Sequence, residues 1–506
     1  MARTSEMRIL YYNWVDYLDD ERRGGGVSIY QRNLMAAIGP RPGVTAHFLS
    51  AGVSHDLRPG PPRWEALRHG PQEGRDRRFE IVNSATLAPA HHGFGSPAQV
   101  SDAATEAVFF DFLEKTGPYD VVHFNNLEGL PAGVLRLAAR FAQTRVVLSL
   151  HNYYPFCPQV NLWHRERETC DDFEGGRKCV SCLPHVHDAR HMRLSDGLAY
   201  RLKRLGLRPG TWAFDVAFRG VIRTGGLASR ALRRLKRRGA DKGAERIVDK
   251  AAGQGGGGAA AGFAARRASM VDLINRHCDT VLCVSEAVRT LALGHGIRPD
   301  IARTSYIGSR EAEAFSRHAP RIFPARDDGT LCLAYLGYMR RDKGFPFLLR
   351  ALEEMPAEMA GRLRIKVAAR RGEAEMMTRL AALAPKLAAL EHHDGYNHGE
   401  LDSLLADVDV GLIPVMWHDN LPQVAIEMHA RRLALLCSDM GGAQELGGCA
   451  QMVFRAGDVE AFRARIAALL AGEVDMDAYW RGAMAPVGMV AHVDELMAVY
   501  GDGAAD

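Results

Sequence analysis

The sequence has no run of 18 apolar residues, which excludes a bilayer-spanning helix of ordinary length. Its opening stretch, MARTSEMRILYYNW, has neither the apolar core nor the small-residue cleavage site of a secretory leader, so no signal peptide is expected. Compositional bias is absent too. At 47% hydrophobic and 25% charged over 506 residues, the chain cannot be collagen, wholesale disorder or a disulfide-stapled miniprotein. Nine cysteines is an odd number, and Cys278, Cys283, Cys332 and Cys437 lie in or beside apolar runs, where thiols behave as small buried hydrophobes. A reducing cytoplasm is the expected compartment. Net charge is nearly missing, since 64 Lys and Arg face 60 Asp and Glu, and the resulting +4 selects no partner.

What is present is an alternation of short β-branched runs with helical patterns. The first half offers Arg8–Tyr12, Thr45–Leu49, Phe79–Asn83, Val121–Phe124 and Val146–Leu150, and Thr280–Val284 and Thr304–Ile307 continue the series. The second half offers Leu331–Leu336, Leu363–Ala368, Val408–Pro414, Leu433–Cys437 and Met452–Phe454. Apolar runs this short, separated by helices, predict parallel sheets covered on both faces. The expected fold is α/β, with two Rossmann-like doubly wound lobes facing a cleft. One lobe spans residues 1–310 and the other 325–485, with residues 486–506 as a helix crossing back to the first. Polar Ser309–Thr330, with Pro320 and Pro324, reads as the linker between them.

The mild total charge hides a polarised chain. Arg190–Lys250 carries 17 Lys and Arg against 5 Asp and Glu, so the remainder is net acidic. This stretch belongs to a basic insertion, residues 190–265, in the first lobe, and its GQGGGGAAAG tract (253–262) reads as flexible linker. Within it Leu198, Leu202 and Leu205 form one helical stripe, and Phe214, Ala217, Phe218, Val221 and Ile222 another. With Trp212 and flanking Arg201, Lys203 and Arg204, residues 195–250 suit an anionic membrane surface; packing of the stripe on the lobe suits them equally. No nucleic-acid-binding module accompanies the charge, so no nucleic-acid partner is expected.

Chemistry concentrates at the carboxyl ends of the expected strands. Gly24-Gly25-Gly26 leads into a helix, where backbone N–H groups face an anion as readily as they make a plain turn. Gly337–Gly344 (GYMRRDKG) follows a strand with three cations, Arg340, Arg341 and Lys343, suited to a departing diphosphate; the Walker A spacing is absent. Asp419–Glu427 (DNLPQVAIE) sets two carboxylates eight residues apart, one before a helix and one inside it, able to bond different hydroxyls of one ligand. Ser438–Glu445 (SDMGGAQE) adds a second glycine turn.

In this order the motifs resemble the family-4 (group 1) retaining glycosyltransferases of GT-B architecture, over nearly the whole chain apart from residues 190–265. The resemblance implies transfer of a sugar from a nucleotide-diphosphate donor to a glycan or lipid-linked hydroxyl acceptor, with retention, in surface polysaccharide or glycolipid assembly. A peripheral place on the inner membrane face follows from such acceptors. The resemblance implies that Glu427 holds the nucleotide ribose and that Asp419, a methylene shorter than the usual Glu, faces the transferred sugar. Lys343 matches the lysine on the diphosphate, with Arg340 or Arg341 compensating for Tyr338, which stands where many members have arginine. Gly25 and Gly26 match the pair under the diphosphate, Asn420, Leu421 and Pro422 the donor-side loop, and His151 a histidine that contacts the sugar. Alternative readings are a sugar-nucleotide epimerase of the same fold and a catalytically silent nucleotide-binding scaffold subunit.

The remaining motifs carry less. His123 is a weaker candidate than His151, and Ser285 and Glu286 read as a helix cap. Asp407-Val-Asp409 begins a strand, at the wrong end for catalysis, so no cofactor or catalytic metal is expected. Cys157, Cys170, Cys179 and Cys182 read as a structural zinc clip, or as a redox-labile or merely exposed set.

Overall fold

The computed structural model describes residues 6–183, 188–220, 256–321 and 328–501. The chain divides into two compact units. The first comprises Met1–Arg165, Cys170–Leu282 and His295–Ala302, and the second Glu166–Thr169, Cys283–Gly294 and Arg303–Asp506.

The first unit is built on eight strands: β1 (Met7–Asn13), β2 (Val44–Ser54), β3 (Arg63–Ala66), β4 (Arg78–Val82), β5 (Val121–Phe124), β6 (Arg145–Leu150), β7 (Thr280–Cys283) and β8 (Ala302–Thr304). Their spatial order is β8-β7-β6-β5-β1-β2-β4-β3. β1 pairs in parallel with both β2 and β5, so the connections diverge between β1 and β5, and a ligand crevice is expected outside their carboxyl ends. β5 and β7 are buried along their whole length, as strands covered on both faces must be. Helix α1 (Gly25–Ile38) buries Tyr30, Gln31, Leu34 and Ile38 along one face.

The second unit holds β9 (Leu331–Tyr338), β10 (Leu363–Arg370), β11 (Ala389–His393), β12 (Val410–Ile413), β13 (Ala434–Ser438) and β14 (Val453–Phe454), ordered β11-β10-β9-β12-β13-β14 and parallel throughout. Its divergence point lies between β9 and β12. Leu333, Tyr335, Phe345, Val367, Leu412, Phe454 and Phe462 belong to one buried cluster beneath the sheet.

Two strands, β3 and β11, lie outside the expected series. The short edge strand β3 is antiparallel to β4 and half-buried, and β11 (ALEHH) is a partly exposed edge with no apolar run to announce it. The expected linker Ser309–Thr330 carries local structure: the Ser309 hydroxyl accepts from the Glu311 N–H and caps a 3-10 turn over Arg310–Glu313. Residues 322–327 of it lie outside the described residues.

The insertion corrects one expectation. α2 (Ala189–Arg204) is followed by helical residues 212–220, but the glycine-rich tract is helical from its fourth residue, in α3 (Gly256–His277). Alanine favours helix, and the small side chains let α3 approach closely: a Cβ on Gly176 would sit 2.1 Å from the Ala260 carbonyl oxygen. The two apolar stripes meet each other, with Leu198, Ala199, Leu202 and Phe214 forming one cluster. α2 also binds the first unit, through Lys203 to Glu21 (3.0 Å), Arg204 to Glu65 (2.5 Å) and Arg193 to the Ala85 carbonyl (2.8 Å). Val221, Ile222 and the rest of the basic run to Lys250 lie outside the described residues. No described helix is long and apolar enough to cross a membrane.

Candidate active site

In the second unit the loops after β9 and β12 bring the expected residues together at the divergence point. Lys343, on the β9 loop, donates to the Asp419 carboxylate, on the β12 loop, and its ammonium lies 5.3 Å from the Trp417 ring centroid. Asp419 is buried, and its loop is fixed by the SDMGG turn, whose Gly442 N–H donates to the Asp419 carbonyl at 3.0 Å. Gly441 has φ +79°, and a Cβ there would lie 1.8 Å from that same carbonyl oxygen, so only glycine fits. Asn420, Leu421 and Pro422 are buried, and the Asn420 carbonyl accepts from the Ser285 hydroxyl at 2.7 Å.

Glu427 follows from Pro422 through helix α5 (Gln423–Ala430) and is 3% exposed. Its carboxylate accepts from the Tyr396 hydroxyl at 2.7 Å and faces His398 Nδ1 at 3.5 Å. Burial pushes the Glu427 carboxyl above the usual range, opposed by the Tyr396 bond and His398. His398 is itself raised, chiefly by its bond to Glu311. Arg431 completes the group, donating to Glu311 at 2.8 Å and to the Glu427 carbonyl at 3.0 Å. Tyr396, His398, Glu311 and Arg431 escaped the motif reading. Tyr396 and His398 follow the unannounced edge strand β11, and Glu311 lies in the stretch taken for linker.

The cations divide. Arg340 grips the buried Asp342 with two bonds of 2.9 Å, whereas Arg341 is exposed. Tyr338 is 55% exposed. Asp407 pairs with Lys366, and Asp409 accepts from the Cys332 N–H at 2.7 Å, so both acids of the DVD triplet serve the sheet. Glu445 accepts from the N–H groups of Glu286 and Ala287 at the start of helix α4 (Glu286–Gly294), and Ser285 Oγ accepts from Val288.

In the first unit, Gly25 and Gly26 open α1 on an exposed turn, and Gly25 has φ +53°. His151 follows β6, and its ring lies 4.9 Å from that of Tyr30 on α1, which places the histidine beside the glycine-led helix. His123 is fully buried and bonded to Ser149 at 2.7 Å, a contact between neighbouring strands.

The structure does not support the zinc reading. Cys157, Cys170, Cys179 and Cys182 are buried free thiols, and no group of three or more His, Cys, Asp and Glu among the described residues is placed to hold a metal. Cys182 Sγ donates instead to Gln159 at 3.0 Å, and burial raises the thiols of Cys170, Cys179 and Cys182, which keeps them protonated.

Two doubly wound units with polar clusters at their strand ends define the GT-B class. Solved structures share this fold across their length. The UDP-forming α,α-trehalose-phosphate synthase from Burkholderia xenovorans is 13% identical, with 99% of this chain and 100% of that chain covered and a TM-score of 0.52. The corresponding synthase from Burkholderia vietnamiensis is also 13% identical, covers 99% and 98%, and has a TM-score of 0.51. Anabaena HepE, in complex with UDP, is 12% identical, covers 98% and 100%, and has a TM-score of 0.50. No curated protein matches the sequence significantly. Residues 330–472 match the family described as glycosyl transferases group 1, so the second unit carries a group 1 glycosyltransferase domain.

Proposed function

We propose that the protein is a retaining glycosyltransferase, moving a sugar from a nucleoside-diphosphate donor to a hydroxyl acceptor in surface polysaccharide or glycolipid assembly. The observation that carries this reading is the convergence of Lys343 and Asp419 at the divergence point of the group 1 domain, with Glu427 buried on the helix that follows. In this reading Glu427 takes the ribose hydroxyls, with Tyr396 and His398 holding its carboxylate in place. As the bond from sugar to diphosphate breaks, negative charge gathers on the leaving group. Fixed cations stabilise that charge most where water is scarce. Lys343 and the exposed Arg341 are assigned to it, whereas Arg340 is turned onto Asp342, in its own loop, by two bonds. On the family resemblance alone, the loop Asn420–Leu421–Pro422 and the Gly25–Gly26 turn serve the donor, and Asp419 and His151 the transferred sugar. Retention rests on the family resemblance.

Glu427→Ala tests the reading. Donor hydrolysis and transfer are expected to fall by at least about a hundredfold while the melting temperature holds. Undiminished activity overturns the assignment, and isomerisation of the donor without transfer would favour an epimerase. Binding of nucleotide sugars without either reaction would favour a silent scaffold.

The acceptor side of the proposal includes docking on an anionic membrane surface at the cytoplasmic face. Of the large apolar side chains that the described residues expose, Leu194 (51%), Leu205 (66%), Trp212 (81%) and Val216 (50%) fall within one short stretch of the insertion. Arg190, Arg201, Arg208 and Arg219 are exposed in the same stretch.

A further inference from the structure

A circuit of side chains rings the divergence point of the first unit. Gln31 Oε1 on α1 accepts from Asn13 Nδ2 at the end of β1 (3.0 Å), and Asn13 Oδ1 accepts from Asn126 on the loop after β5. Asn126 Oδ1 accepts from the Glu128 N–H at 3.2 Å. The Glu128 carboxylate accepts from Asn152 Nδ2 on the loop after β6 and from the Ala90 N–H, each at 2.7 Å. Asn152 follows His151, whose ring packs on Tyr30, the neighbour of Gln31, and there the circuit closes. Backbone contacts seat the acid firmly: Tyr12 donates to the Glu128 carbonyl and Ser84 to the Gly129 carbonyl.

We propose that Glu128 is a positioning residue, whose ionised carboxylate fixes Asn152 and through it the orientation of His151. The inference rests on the reading above, in which His151 serves the transferred sugar. Both carboxylate oxygens face N–H donors. The Asn152 amide cannot turn over to suit a changed partner, because its Oδ1 already accepts from the Tyr154 N–H at 3.0 Å. A proton on either Glu128 oxygen adds a donor there and removes the negative charge, which weakens the two bonds that the carboxylate accepts.

Burial raises the Glu128 carboxyl to about 7, opposed by the Ala90 N–H, Asn152 and Arg266. From β1, Tyr12 is held well above the ordinary range by its own burial, and after β6 Tyr154 is pushed up to about 12. Arg266 on α3 donates to the Tyr154 carbonyl at 2.9 Å and favours the carboxylate. The 90–93 turn meets the acid with a backbone N–H.

Two readouts on Glu128→Gln and Glu128→Asp test the proposal. The first is the side-chain amide signal of Asn152 in nuclear magnetic resonance, assigned with Asn152→Ser and followed across pH. In the wild type it is expected to shift with a midpoint of about 7, in Glu128→Gln to show no such step, and in Glu128→Asp to step at a displaced pH. The second is turnover of whichever nucleotide sugar the wild type hydrolyses. Here kcat should fall about tenfold to a hundredfold in Glu128→Gln, with donor KM little changed and the acidic limb of the pH profile lost. A wild-type amide signal without a step near neutrality overturns the proposal. So does a Glu128→Gln protein that melts lower yet keeps the wild-type pH profile. A wild type inert towards every nucleotide sugar would defeat the functional reading instead, leaving the amide signal to decide the role of Glu128.

Discussion

Two carboxyl groups, Glu128 and Asp196, answer to burial above all. Glu128 is the clearest case, since its carboxyl is raised from the usual 4.5 to about 7. The fold therefore binds a proton that the unfolded chain has released across that interval, so the contribution of Glu128 to stability is greatest below about pH 4.5 and falls as pH rises towards 7. Complete loss of this proton linkage would amount to roughly 3 kcal/mol as an upper bound. Asp196, likewise raised to about 7 by burial, adds a second contribution of the same sign over the same range. Glu128→Gln is expected to flatten the slope of unfolding free energy against pH in that window without abolishing it. Urea melts at several pH values measure the slope directly, and a slope equal to the wild type's would show that Glu128 does not titrate with the fold. The sequence offered no sign of this acid. Glu128 sits in NNLEGLP, and its donors Ala90 and Asn152 are 38 and 24 residues away. Motif residues were legible because their chemistry is local in the chain: Lys343, Asp419 and Glu427 each follow a recognisable strand. Tyr396, His398 and Arg431 were not, because their part is to hold Glu427 across the fold.

At the scale of elements, the parallel strands could be read because burial on both faces demands unbroken apolar runs. β5 (VVHF) was placed to the residue, and β9 was found two residues short of its end. β3 and β11 failed the same test, since an edge strand has one covered face and tolerates Glu, His and Arg. The glycine-rich tract failed for the opposite reason. Its composition suits a linker in isolation, but close packing against Gly176 rewards small residues within a helix. The SDMGG turn shows how narrowly such a contact constrains sequence. Gly441→Ala would force an alanine to φ +79° and drive its Cβ into the Asp419 carbonyl. The strain alone is about 1 to 3 kcal/mol, and the clash adds to it or displaces the Asp419 loop. Loss of stability together with a larger loss of donor turnover is the expected outcome. Unchanged melting and turnover would mean that the two loops are not coupled as drawn.

Over the whole molecule, the near-neutral total conceals an acidic enzyme bearing one basic stretch, and α2 resolves how the described part of that stretch is used. Its polar inner face is tied to the first unit through Arg193, Lys203 and Arg204, while its apolar stripe closes on Phe214 of the same insertion. The two stripes are thus covered largely by each other, and Leu194, Leu205, Trp212 and Val216 stay exposed beside exposed arginines. An anionic bilayer offers such a surface two separable attractions. The electrostatic part is screened over about 10 Å at 0.1 M salt, whereas insertion of Trp212 and Leu205 is insensitive to salt. Flotation with anionic vesicles should therefore recover the full chain at low salt, with recovery reduced but not abolished at about 0.5 M salt. Trp212→Ser combined with Leu205→Ser should lose the salt-resistant fraction alone, with melting temperature unchanged because both side chains already face water. Neutral vesicles should recover only the salt-resistant fraction. Equal flotation of the double variant at high salt would remove the apolar patch from the docking surface. Absence of flotation with anionic vesicles at any salt concentration would remove the membrane as a partner of this stretch.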